Sequence, residues 1–174
     1  TGTWSGMRMT STDCSTVVSS IGDGTFFKFS SHDGNLLIQD LVFNTTTHVV
    51  GYQQLFFEVL SDFKMERATF SVGGSVDVVG DHSEGVYGIY LSFYGNQLLL
   101  NGCTFEYSGN ITDQILPNGN EIYGVVVQSI YYPSLFRTTN TKFHFSGIIE
   151  TQSGLIYGIM VRKIHTEEEG VEWA

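Results

Sequence analysis

Apolar and polar residues alternate in short runs along most of the chain, and helical spacing is nearly absent. In 25–31 (TFFKFSS) Phe27 and Phe29 fall on one face, and in 55–61 (LFFEVLS) Phe57 and Val59 do. The runs YGIYLSF, YGVVVQS and YGIMVRK repeat the pattern with Ile89 and Leu91, Val125 and Val127, and Ile159 and Val161. Alternate residues of a strand share a face, so each pair is expected to point into a core.

Counted from Phe27, these units recur at Phe57, Ile89, Val125 and Ile159, with spacings of 30, 32, 36 and 34 residues. Each has a partner segment ending in phenylalanine: 36–43, 63–70, 97–105 and 136–143. A short Gly- or Asn-bearing stretch and another β-branched pulse follow, as in 71–79, 106–112 and 144–151. One repeat reads strand, turn, strand ending in Phe, turn, strand, variable loop. A recurring unit of this length is a structural repeat, and its β-branched and aromatic content argues against helical arrays. Three short strands and their turns fit one coil of a solenoid that buries a ladder of like residues.

The predicted fold is therefore all-β, a parallel β-solenoid (β-helix) of about four to five coils over 21–174. Residues 1–20 lack the repeat and form an N-terminal segment or a degenerate coil. An antiparallel β-sandwich, built from hairpins such as 87–105, is the alternative. The expected ladders are Phe43, Phe70, Phe105 and Phe143, then Phe27, Phe57, Ile89, Val125 and Ile159. A third row is Tyr87, Tyr123 and Tyr157, each followed by a glycine that marks a bend or a close approach.

Composition sharpens this picture. Charged residues are 15% of the chain, and there are 20 glycines but only two prolines, which suits a turn-rich β protein rather than a linker. The net charge is −10, from 8 basic and 18 acidic residues. That disfavours nucleic acid and anionic membrane surfaces as partners, since no basic cluster could neutralise phosphates. No apolar run is long enough for a transmembrane helix, so direct membrane insertion by this segment is not expected. The first residue is not Met, and the chain reads as an excised piece or processed form of something longer. Cys14 and Cys103 are far apart and read as two unpaired thiols.

Candidate chemistry is sparse. His32, His48, His82, His144 and His165 show no metal-ligand spacing, so neither a metal nor a cofactor is expected. Asn44-Thr45-Thr46 and Asn110-Ile111-Thr112 match the glycosylation sequon. Asp77, Asp81 and Glu84 fall near one corner, and Asp113 and Glu121 near the corresponding corner of the next coil. Together they could form an acidic patch or a calcium site, although solvated turn acids are the simpler account. Tyr94, Tyr107, Tyr131 and Tyr132 sit in or near loops, where rings can stack on sugars or anchor a protein. The longest loops are 80–85, 112–119 and 128–134, with Tyr131 and Tyr132 the leading contact pair. The acidic run from Glu167 to Glu172 reads as a solvated tail, or as a cap with Trp173 closing the last coil.

The "YGI-x-L … F … G-x-I" repeat, rich in Asn, Ser, Thr and Gly, resembles right-handed parallel β-helix repeats. Such repeats occur in bacterial autotransporter passengers and pectin-lyase-like proteins, and the likeness covers about 21–174. The resemblance implies a bacterial protein, secreted or at the cell surface, with an adhesin-, virulence- or toxin-like role. Its partner would be a host protein or glycan engaged through side loops, without catalysis. Two alternatives stand beside this. A carbohydrate-active β-helix enzyme would need carboxyl groups converging in a groove. A purely structural segment would contact further solenoid coils.

Overall fold

The structure is a computed structural model and describes residues 3–5, 8–10, 14–21, 24–31, 35–79, 85–113, 120–129, 135–151 and 155–163. Its regular elements are all strands, beginning with β1 (Thr3–Ser5), β2 (Arg8–Thr10) and β3 (Cys14–Ile21). The first coil is β4 (Gly24–Ser31), β5 (Asn35–Gln39), β6 (Val42–Thr45) and β7 (Val49–Gly51). The second is β8 (Gln53–Val59), β9 (Asp62–Glu66), β10 (Thr69–Val72) and β11 (Val76–Val78). The third is β12 (Val86–Phe93), β13 (Gln97–Asn101), β14 (Thr104–Tyr107) and β15 (Ile111–Asp113). The fourth is β16 (Ile122–Ser129), β17 (Leu135–Thr139), β18 (Lys142–Phe145) and β19 (Ile149–Thr151), and β20 (Ile156–Lys163) opens a fifth.

Equivalent strands of successive coils pair in parallel and build four sheets. The first holds β4, β8, β12, β16 and β20, the second β5, β9, β13 and β17, the third β6, β10, β14 and β18, the fourth β7, β11, β15 and β19. This is a parallel β-solenoid, and the parallel pairing rules out the sandwich. The N-terminal strands run the other way: β3, β2 and β1 pair antiparallel with β4, β5 and β6. Strands β1, β2 and β3 thus retrace the strands of the first coil in reverse along its edge.

Each coil has four strands, not three. The extra corner lies inside what alternation reads as one strand, as in 36–43. There Asp40, Arg67, Gly102 and Asn140 take positive φ of 58°, 52°, 64° and 49° and turn the chain from the second sheet to the third. Asp, Asn and Gly tolerate this conformation best, and Arg67 is held in it by its neighbours. Its guanidinium donates to both Asp40 carboxylate oxygens of the preceding coil, Nε to Oδ1 at 2.6 Å and Nη2 to Oδ2 at 3.1 Å.

The coils stack like on like. Phe43, Phe70, Phe105 and Phe143 stand in register on the third sheet. The rings of Phe70, Phe105 and Phe143 stack with nearly parallel planes, their centroids 5.1 and 5.3 Å apart. Offset-stacked pairs of this kind contribute about 0.5–1.5 kcal/mol beyond the area they bury. On the first sheet the register differs from the spacing-based ladder. Phe57 pairs with Leu91, not Ile89, so one row is Phe27, Phe57, Leu91, Val127 and Val161. A second row is Thr25, Leu55, Ile89, Val125 and Ile159. The two rows share a face two residues apart, so the pattern alone did not separate them.

Tyr87, Tyr123 and Tyr157 form a third row on the same sheet, with ring centroids 5.2 and 5.1 Å apart. Val86 and Ile89 both join the main core, whereas Tyr87 and Tyr90 pack in a separate cluster with Tyr123 and Val126. Strict alternation is therefore broken at Gly88. A Cβ there would stand 2.4 Å from the Tyr107 ring and 2.5 Å from the Gly124 carbonyl oxygen. Glycine at 88 makes room for the large ring at 107, and Gly124 does the same for Phe145.

Candidate functional site

The fourth sheet carries Asp77 and Asp113 of the acids singled out at its corner, and it separates them. Asp77 pairs with Thr112, so Asp113 lies one residue further on and faces the opposite side. Asp77 is exposed, with its carboxylate 3.4 Å from His48 Nε2 of the preceding coil. Asp113 is 1% exposed, and its Oδ2 accepts from the Asn120 backbone N–H at 3.2 Å and side-chain Nδ2 at 3.3 Å. Glu121 accepts a hydrogen bond from the Tyr123 hydroxyl. Asp77, Asp113 and Glu121 therefore do not make one patch. Among the described residues no three His, Cys, Asp or Glu side chains gather as a metal site. Asp81 and Glu84 lie outside the described residues.

Tyr107 is not a contact ring. It is 0% exposed, and its hydroxyl lies 3.1 Å from both the Gly74 and Asn110 carbonyl oxygens. Read as lying near a loop, it is the last residue of β14 and points inward, because the strand alternates and its neighbour Glu106 takes the outer side. Burial raises its phenol pKa above the ordinary value. Tyr94 is half-buried just after β12, with its N–H donating to Val59 at 2.8 Å. Tyr131, Tyr132, His165 and Trp173 lie outside the described residues, so no contact loop or cap is described there. Cys103 is a free, buried thiol whose pKa burial pushes up, and its Sγ lies 3.4 Å from the Met65 carbonyl.

One surface groove among the described residues was not singled out from sequence. A shallow groove of ≈ 250 Å³ runs across the second sheet. Its floor is Leu36 and Phe63, its walls are Leu37, Lys64 and Leu99, and Asp62 and Gln97 close one end. Outward positions of β5, β9 and β13 supply the walls: Leu37, Lys64 and Leu99 stand in one row, continued by Arg137. Asp62 Oδ1 is engaged by the backbone N–H groups of Asn96 at 2.7 Å and Gln97 at 3.1 Å, which fixes that end. Beyond the groove Lys64 Nζ reaches Glu66 Oε1 at 2.6 Å, while Gln39 donates to Oε2 at 2.6 Å and Arg67 at 3.3 Å. The Lys64 hydrogen bond, then that from Gln39, holds the Glu66 carboxyl below its usual range. The signal that could have found the groove was Lys64 flanked in register by leucines, legible once the corner at Asp40 sets the strand ends.

Residues 80–84 and 114–119, between strands of the fourth and first sheets, and 130–134, between strands of the first and second, lie outside the described residues. No known protein family, curated protein or solved structure matches this chain.

Proposed function

We propose that the solenoid is a non-enzymatic binding module, secreted or displayed on a cell surface, that engages a host glycan or protein along its side. The groove of the second sheet carries this reading. It sets aliphatic walls beside a cation, an amide and a carboxylate on a rigid strand frame, a combination suited to polar groups on a partly apolar face. Strand-borne side chains lose little freedom on contact, which favours binding without rearrangement. Repeated weak contacts along a stack of like coils add through effective concentration.

The test is a glycan and host-protein array probed with the chain, with product release followed in the same wells. Saturable binding without cleavage is expected, weakened at least tenfold by Lys64→Ala combined with Leu99→Asp. Release of unsaturated or reducing sugars would sink the reading in favour of a polysaccharide-cleaving enzyme. Binding indifferent to both substitutions would remove the groove from it.

A further inference from the structure

Among the described residues, the four sheets end on one side at β17, β18, β19 and β20, which follow one another in chain order and form a single spiral edge. Apolar side chains are laid bare along it. Ile148 is 57% exposed, Leu155 56%, Ile156 51% and Ile159 47%. For Ile156 and Ile159 the counterparts one or two coils back are sealed: Val86, Ile122 and Ile89 are 0% exposed and Val125 is 1%, whereas Ile148 and Leu155 follow the exposed positions of Asn110 and Glu121. The difference is position, not chemistry, because Ile156 and Ile159 stand in register with Ile122 and Val125. The ring rows stop at the same edge, Phe105 on Phe143 and Tyr123 on Tyr157. This edge is one half of an interface that the molecule makes repeatedly within itself.

We propose that the edge is a docking surface for one further parallel coil of this same repeat. The inference is independent of the binding role. The preceding coils fix the chemistry of the occupant. Its strands run in the order second sheet, third, fourth, first, because β17 is the first step of the spiral. It brings an apolar residue over Phe136, an aromatic ring over Phe143, aliphatic residues over Ile149, Ile156 and Ile159, and a flat ring over Tyr157. Segment 62–93 has this order and these residues: Phe63, Phe70, Val76, Val86, Ile89 and Tyr87 hold the same registers in the second and third coils. A new strand satisfies an edge through main-chain hydrogen bonds while side-chain pockets give the specificity. An apolar sheet edge left bare invites unspecific pairing, so the like-on-like rows also select the partner.

The experiment adds a synthetic peptide of sequence 62–93 to the 174-residue chain and follows amide hydrogen exchange. Saturable protection of β17–β20 is expected. A nitroxide on the peptide's Phe93 end should broaden resonances near Lys163 rather than near Ile156, as parallel pairing requires. Ile156→Asp with Ile159→Asp should weaken binding at least tenfold, and Val50→Asp, exposed elsewhere, should leave it unchanged. Circular dichroism checks that the variants stay folded. Protection equalled by a scrambled peptide, or no protection at all, overturns the proposal. So does protection produced by concentrating the chain alone, which assigns the edge to a second copy.

Discussion

Tyr107 shows how one hydroxyl is set inside the wall of a solenoid. Its ring fills the space left by Gly88, and its proton is shared between two carbonyls at the corner between the third and fourth sheets. The next coil places Phe145 at the same register, so the ring serves packing and the hydroxyl serves the corner. Removing the hydroxyl in Tyr107→Phe should cost about 1 kcal/mol at neutral pH, the usual net worth of one buried hydrogen bond. The pH dependence then separates the two forms. Burial holds the folded phenol above the ordinary value of 10.0, so the unfolded chain loses this proton first. The contribution is whole below pH 10 and falls as pH rises above it, by about 1.4 kcal/mol per pH unit. Urea titrations from pH 7 to 11 should show the two stability curves converging as the wild type loses its advantage. Parallel curves would mean that Tyr107 is not buried as a neutral phenol.

At the scale of the strand, alternation made the all-β class, the coil repeat and the phenylalanine row legible, because side-chain period and coil period are both written in residue type. Strand count and register were less legible for two local reasons. The corner at Asp40, Arg67, Gly102 and Asn140 costs a single residue and hides within a continuous apolar run. The bend at Gly88 places Val86 and Ile89 in one core three residues apart, which alternation cannot anticipate. The candidate site suffered more. A shift of one residue turns Asp113 inward from the acid it was grouped with, and the alternation of β14 turns Tyr107 from surface to core. A double-mutant cycle reads the register directly. Phe57→Ala and Leu91→Ala should couple by roughly 0.5–3 kcal/mol, as residues in contact do. Phe57→Ala and Ile89→Ala, diagonal neighbours, should couple less. Stronger coupling to Ile89 would return the ladder to the spacing of 32 residues read from the sequence.

Over the whole molecule, a solenoid divides its stability among neighbouring coils, so a side chain's worth depends on how many coils enclose it. The row Leu55, Ile89, Val125 and Ile159 is a ruler for this, since residue type barely changes along it while exposure rises from 0% at Leu55 and Ile89 to 47% at Ile159. Ile89 has a paired strand on both sides, and truncating it leaves a cavity between two fixed coils. Ile89→Ala should cost about 2–5 kcal/mol, the range for large-to-small core substitutions. Among the described residues, Ile159 has a coil on one side only. Water already reaches nearly half of it, and no cavity remains after truncation, so Ile159→Ala should cost less than about 1 kcal/mol. Urea unfolding of both variants at low protein concentration measures the ratio. If Ile159→Ala proved as costly as Ile89→Ala, something would already enclose the β17–β20 edge in solution. Repeating the titration over a range of protein concentrations would then decide whether that cover is a second molecule, whose effect grows with concentration, or part of the same chain, whose effect does not.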